Sequence, residues 1–322
     1  MRIVPVLFPC DLGRSVAGQY AVGGEHGAPD LVLDMLEGEG IRLARPITVP
    51  VEAPAEPDPA DTPLKFDAAV TKAVLSLAEV VENVNADANF PLILGADQTA
   101  LLGHVLGQSR RHREGIGLAV LADAYTDLAT PAPPVGPEIG PDERQRLRTD
   151  PEVTKSGNVH RMVMSACLKM LPTDTQLGAA MQDSAVTKTQ TSTVGVRAPE
   201  WAQIRANEKK AGIEVWRMER LEFDGESAYR SMLTRHLSAG PIVLSLDATG
   251  LDPHMMTAVR RPIPDGLDWS FLKRTFEQCL PHVDRILGLD ISELDPTQDD
   301  AHQGGLTRFA ETVAPFLKRL GR

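Results

Sequence analysis

"FDAAVTKAVLSLAEVVENV" (residues 66–84) and, just after it, "FPLILGAD" (90–97) decide the fold. In the first, Val70, Ala73, Val74, Leu77, Val81 and Val84 recur at helical spacing, which predicts a helix with one buried stripe. The second is a short apolar run that stops at glycine and acid. An unbroken apolar run of this length reads as a strand covered on both faces. The same pair then repeats, with "TALLGHVLGQSRRH" (99–112) as helix and "GIGLAVLAD" (115–123) as strand.

Working outward, the alternation holds over most of the chain. "MRIVPVLFPC" opens with a strand. "TSTVGVR" (191–197), "IEVWRM" (213–218), "PIVLSLD" (241–247) and "DRILGLD" (284–290) read as further strands. Between and after them, "PEWAQIRANEKKAG" (199–212), "ESAYRSMLTRHLSAG" (226–240), "DWSFLKRTFEQCL" (268–280) and "LTRFAETVAPFLKRL" (306–320) read as helices. Strands alternating with helices predict a three-layer αβα sandwich around a central, mainly parallel sheet. With no internal repeat and no composition break, residues 1–322 read as a single α/β domain. Two loop-rich stretches interrupt the pattern, 48–63 and 130–158. The second is too long for a plain connector, and such loops are often functional.

Composition narrows the partners. The 322 residues are 42% hydrophobic, which suffices for a large core, and the net charge is −11. An acidic chain repels phosphate backbones, so nucleic acid is not an expected partner. No apolar window approaches the length of a membrane span, and the N-terminus reads as a strand rather than a signal peptide. Cys10, Cys167 and Cys279 are odd in number and widely spaced, so neither a disulfide framework nor a zinc knuckle is expected, and a cytoplasmic location is.

The chemistry gathers where the strands end. Four predicted strands finish in acid, at Asp97, Asp123, Asp247 and Asp290. Ligand sites of parallel sheets lie beyond the carboxyl ends of the strands, so these acids are expected to converge. The alternative for each is a turn or helix cap. Two carboxylates roughly 5 Å apart repel by about 3 kcal/mol at an effective dielectric near 20. A cluster of three therefore calls for a cation, a guanidinium or raised pKa values. Oxygen donors of this kind suit Mn²⁺ or Mg²⁺ better than zinc.

At these residues the chain resembles the ureohydrolases, the family of arginase, agmatinase and formiminoglutamase. "LILGADQTALLG" resembles the family's Gly-Gly-Asp-His-Ser motif, and "LADAYTDLATP" its Asp-Ala-His-x-Asp motif. "SGNVH" resembles the substrate-loop motif, and "LSLDATGLDP" the Ser-x-Asp-x-Asp-x-x-Asp-Pro segment. "HGAPDLVLDML", "VGVRAPE", "RPIPDGL" and "LDISELDP" resemble the remaining motifs, all in family order.

The resemblance implies a trimer or hexamer, and two Mn²⁺ ions bridged by a hydroxide that attacks a guanidinium carbon. The first ion's ligands would fall on Gln98, Asp123, Asp127 and Asp247, where Gln98 replaces a histidine. The second would share Asp123 and Asp247, but its own two positions are Tyr125 and Thr249, normally His and Asp. Three ligand positions are thus lost. His160 matches the family's proton shuttle, and Glu293 the glutamate that pairs with the guanidinium. Ala129 and Ala198 stand where arginases carry Asn and Asp, and Glu200 is a nearby acid that could stand in. By the same resemblance, residues 13–29 form a flexible loop at the pocket mouth.

Arg260 and Arg261 replace a Gly-Thr-rich run, and Arg161 follows His160 where glycine is common. Either one of these three reaches the carboxylates and replaces missing metal charge, or the arginines point to solvent or make subunit contacts. With these ligand positions lost, at most one Mn²⁺ (or Mg²⁺) is expected, and two readings follow. The first is a pseudoenzyme with a binding, regulatory or assembly role and a small guanidino or amino-acid-like ligand. The second is a mononuclear hydrolase of a guanidino, amidino or linear amide C–N bond.

Overall fold

A computed structural model describes residues 1–14, 28–52, 54, 63–131, 157–198, 202–299 and 304–321. Eight strands form one sheet: β1 Ile3–Phe8, β2 Ile47–Thr48, β3 Phe90–Gly95, β4 Ile116–Val120, β5 Val186–Val196, β6 Glu214–Arg217, β7 Ile242–Asp247 and β8 Ile286–Ser292. Every pairing is parallel, in the order β2-β1-β3-β8-β7-β4-β5-β6.

The helices are α1 Ala28–Gly38, α2 Asp67–Ala86, α3 Thr99–Arg111, α4 Val163–Cys167, α5 Gln176–Ala180, α6 Ala202–Ala211, α7 Met218–Asp224, α8 Glu226–Ala239, α9 Trp269–Cys279 and α10 Gly305–Leu320. They cover both faces, which is why the strands carry no polar alternation. Ile3 and Leu7 of β1 pack with α1, α8, α9 and α10. Val4, Val6 and Phe8 of the same strand point the other way, into a core with α2, α3, α4 and α6. The three-layer αβα sandwich expected from the sequence is the architecture found, and its sheet is wholly parallel.

The predicted stripe of α2 is buried at all six positions. It meets α3 closely because α3 offers glycine there. A Cβ on Gly103 would lie 2.6 Å from Leu77, and one on Gly107 2.6 Å from the Ala78 carbonyl. The sequence reading passed over α1, whose apolar stripe sits inside an expected entry motif, and the short elements β2, α4, α5 and α7. Such brief segments carry too few residues for a period to show. Residues 15–27 and 132–156 and Glu200 lie outside the described residues. Among the described residues, no helix is long and apolar enough to cross a membrane. Cys10, Cys167 and Cys279 are all buried free thiols.

Order in the sheet positions the site. β3, β8, β7 and β4 are consecutive neighbours, so the chain segments leaving their carboxyl ends emerge side by side. Gln98 follows β3, Glu293 follows β8, Asp247 closes β7, and Asp123, Tyr125 and Asp127 follow β4.

Candidate active-site pocket

These segments enclose a cavity of about 140 Å³ lined by Arg14, Gln98, Tyr125, Asp127, His160, Arg161, Asp247, Thr249, Arg260, Arg261 and Glu293. Asp123, Asp127 and Asp247 each place a carboxylate oxygen within 4.8 Å of the others, and all three are buried. Two of the site acids sit in strained backbone: Asp127 has φ 48° and Glu293 φ 65°. Left-handed backbone is uncommon for residues with a Cβ and collects at functional sites.

Protein donors already serve the carboxylates. Gln98 Nε2 donates to Asp123 Oδ2 at 2.9 Å, and the Tyr125 amide to Asp123 Oδ1 at 2.8 Å. The Thr249 amide and hydroxyl both donate to Asp247 Oδ1, at 2.7 and 2.5 Å. Arg161 Nη1 lies 3.4 Å from Asp127 Oδ1, and its guanidinium stacks on Tyr125, 3.5 Å from the ring centroid. Burial pushes the Asp123 and Asp247 carboxyls well above the usual range. Repulsion from Asp127 adds to this at Asp123, and repulsion from Asp123 adds to it at Asp247.

The expected arginines separate. Arg161 reaches the carboxylates. Arg260 and Arg261 both line the cavity, but Arg260 bonds Asp295 Oδ2 through Nε at 3.0 Å and is half-exposed. The four strand-end acids do not all converge. Asp290 lies inside β8, level with Ser245 rather than Asp247, and is held in the core by Ser245 Oγ at 2.5 Å and His104 Nδ1 at 2.7 Å. The predicted strand ended two residues too early, so a core position looked like a strand end. Asp97 is bonded by the Thr99 amide and hydroxyl rather than joining the triad. Burial raises its pKa to about 7, although Arg14 opposes the shift.

His160 and Glu293 both face the cavity. His160 Nδ1 is 2.7 Å from the Gly13 carbonyl. Burial pushes its pKa well down, so the ring is neutral and Nδ1–H donates. Glu293 accepts from Arg14 Nη1 on Oε2 at 3.0 Å and from the Gln98 amide on Oε1 at 3.1 Å. The sequence reading missed Arg14, assigning its segment to a flexible mouth loop. Of that segment, Arg14 lines the cavity and is deeply buried. The available signal was its place just beyond β1, beside β3, on the edge where the site lies. Arg197 was seen only as part of a motif. Its guanidinium binds the carbonyls of Thr249, Gly250 and Leu251 and of Ile263 and Pro264, pinning the loop after Asp247.

A family model for the arginase family matches residues 3–314. The chain belongs to the arginase family. It is similar to the arginase of Bacillus caldovelox, 25% identical over 263 residues, covering 81% of this chain and 79% of that one. It is also similar to the arginase of Emericella nidulans, 25% identical over 260 residues, with 76% and 71% covered. Among solved structures, Bacillus caldovelox arginase superposes with a TM-score of 0.77 at 21% identity, covering 100% of this chain and 98% of that one. A hypothetical agmatinase from Burkholderia thailandensis gives 0.64 at 16% identity, covering 99% and 86%. At such identities the structural likeness speaks to fold alone.

The donor set can be tested against the ions that the family resemblance implies. The three carboxylates fit one oxygen-bound ion, whose opposed ligand oxygens lie about 4–5 Å apart. The two positions that the resemblance gives to a second ion alone are Tyr125 and Thr249. Tyr125 offers a ring already covered by a guanidinium, and the Thr249 hydroxyl is spent on Asp247.

Proposed function

We propose that this arginase-family chain keeps the pocket for binding and does not hydrolyse guanidines through a dinuclear manganese centre. The observation that carries this reading is Arg161, whose guanidinium stacks on Tyr125, a position of the second ion, and approaches Asp127, a ligand position of the first. A planar cation matched to a carboxylate supplies fixed positive charge but polarises no water. His160 and Glu293 then act as ligand contacts rather than as a shuttle and a substrate clamp. In this reading residues 1–322 act as one unit, self-associate as trimers or hexamers and reside in the cytoplasm. The ligand is a small guanidino or amino-acid-like molecule.

One observation favours a second reading. Asp123, Asp127 and Asp247 could still hold a single Mn²⁺ or Mg²⁺, with Gln98 turned to offer its amide oxygen. Such an ion lowers the pKa of bound water, which would make the chain a mononuclear hydrolase of a guanidino, amidino or linear amide C–N bond.

Metal analysis of protein purified without chelators, with and without Mn²⁺ incubation, separates the two. The proposal expects no stoichiometric metal and no urea from arginine, agmatine or guanidinobutyrate. Stoichiometric metal that is lost in Asp247→Ala, together with manganese-dependent urea release, would establish the hydrolase.

A further inference from the structure

Two of the groups facing the cavity, His160 and Glu293, are both engaged by consecutive residues of one segment. The Gly13 carbonyl accepts from the His160 ring at 2.7 Å and from the His160 amide at 3.2 Å. Arg14 lays its guanidinium on Glu293 at 3.0 Å and donates through Nη2 to the Ala96 carbonyl at 2.8 Å. The ion pair is buried, with 10% of each side chain exposed.

The seating is built closely. A Cβ at Gly13 would lie 2.5 Å from Thr99 and 2.8 Å from Asp97, so only glycine lets the backbone come this near. The Gln98 amide completes Glu293 by taking its other oxygen. Arg14 thus has the charge, planarity and fork of a small guanidinium ligand and rests on a carboxylate of the pocket wall.

We propose that Gly13–Arg14 is an internal plug: a tethered guanidinium that fills the pocket's cation seat, so that a free guanidinium compound binds only when Arg14 is withdrawn. This rests on the reading that the pocket serves binding. It adds that the seat for a guanidino ligand is occupied in cis. The tether gives Arg14 an advantage over any dissolved competitor, because its effective concentration at Glu293 is set by a short connection.

The test is chemical rescue in the full-length chain. Arg14→Ala leaves a space matched by ethylguanidinium. Calorimetric titration of ethylguanidinium into wild type should show no saturable binding. Titration into Arg14→Ala should show saturable binding, weakened about ten-fold or more by adding Glu293→Gln. Ethylammonium, which lacks the planar fork, should bind more weakly than ethylguanidinium. A purely structural ion pair would give a destabilised variant that the probe does not rescue.

If Arg14→Ala folds only with ethylguanidinium present, that rescue supports the plug. If it folds in neither condition, Arg14→Gln is titrated and melted with the same probe. A folded variant that neither binds nor is stabilised overturns the plug, as does equal binding by wild type. Urea release is followed in parallel. Hydrolysis by wild type would overturn the non-hydrolytic reading alone, and failed rescue without hydrolysis would overturn the plug alone.

Discussion

Asp247 and Asp290 stand on neighbouring strands, and both close an apolar run, yet they live in opposite environments. Asp290 is fully buried, and each of its oxygens meets one fitted partner, Ser245 or His104. Asp247 sits two register positions further along, at the cavity, beside other carboxylates whose repulsion adds to burial in raising its pKa. Two residues of parallel register separate a carboxylate that ties α3 to β7 and β8 from one held against electrostatic cost for the sake of a pocket. Each accepts two hydrogen bonds, so neighbouring carboxylates, not burial, distinguish them.

The largest effect should come from breaking the satisfied side. Asp290→Ala removes the acceptor of two buried donors, and His104 Nε2 already lacks a partner among the described residues. Each buried donor left without its acceptor costs about 1–3 kcal/mol, so the two together cost roughly 2–6 kcal/mol. Urea unfolding should show a midpoint shift of that size or failure to fold. A loss under about 1 kcal/mol would remove the distinction drawn between the two acids.

Asp97 offers a pH-resolved version of the same contrast. Burial raises its folded pKa from 3.8 to about 7, and its Oδ2 has no hydrogen-bond partner among the described residues. The folded state therefore holds the proton more tightly than the unfolded chain. The contribution to stability is fully present below the unfolded pKa and is lost as pH rises through about 7. Asp97→Asn keeps an acceptor for Thr99 and removes the titration. The stability of wild type relative to this variant should fall by roughly 2–3 kcal/mol between pH 5 and 8, measured by denaturant melts across that range. A difference that stays flat would place the Asp97 pKa near its ordinary value.

The fold was legible because parallel strands and amphipathic helices announce themselves by runs and periods, as α2 and β3 do. The clustering of Asp123, Asp127 and Asp247 was legible for the same reason, since strand ends in a parallel sheet share an edge. Register was not. The sequence places Asp290 at the end of its apolar run, while pairing extends β8 to Ser292 and draws that acid inside. Arg14 was hidden because its role depends on a contact with Glu293, 279 residues away, and a lone arginine carries no period. Arg161, next to a recognisable histidine, gave a local signal, but its stacking on Tyr125 could be seen only in three dimensions.

Arg161 allows a test inside the pocket. Arg161→Gln keeps a polar group and removes the charge, leaving Asp127 without its guanidinium. The expected loss is about 1.5–3 kcal/mol, the range for hydrogen bonds to charged groups. The double variant Arg161→Gln/Asp127→Asn should recover much of it, because the carboxylate charge goes with the guanidinium charge. A thermodynamic cycle on unfolding free energies measures the coupling. Additive losses would show that Arg161 acts through stacking on Tyr125 rather than through charge.

The smallest effect should be a gain. Asp247→Asn preserves the Oδ1 acceptor for the Thr249 amide and hydroxyl, and it deletes a carboxyl that faces repulsion from Asp123 and Glu293. Nothing comparable is available at Asp290, where each oxygen already has its own donor. Asp247→Asn should therefore raise the unfolding free energy by about 1 kcal/mol at neutral pH, with the gain shrinking as acid protonates the wild-type carboxyl. The shrinkage separates relief of repulsion from better packing, which would not depend on pH. A loss instead of a gain would mean that the Asp247 charge is compensated at the pocket by a cation. The same variant thus weighs the binding reading against the single-ion hydrolase without any assay of activity.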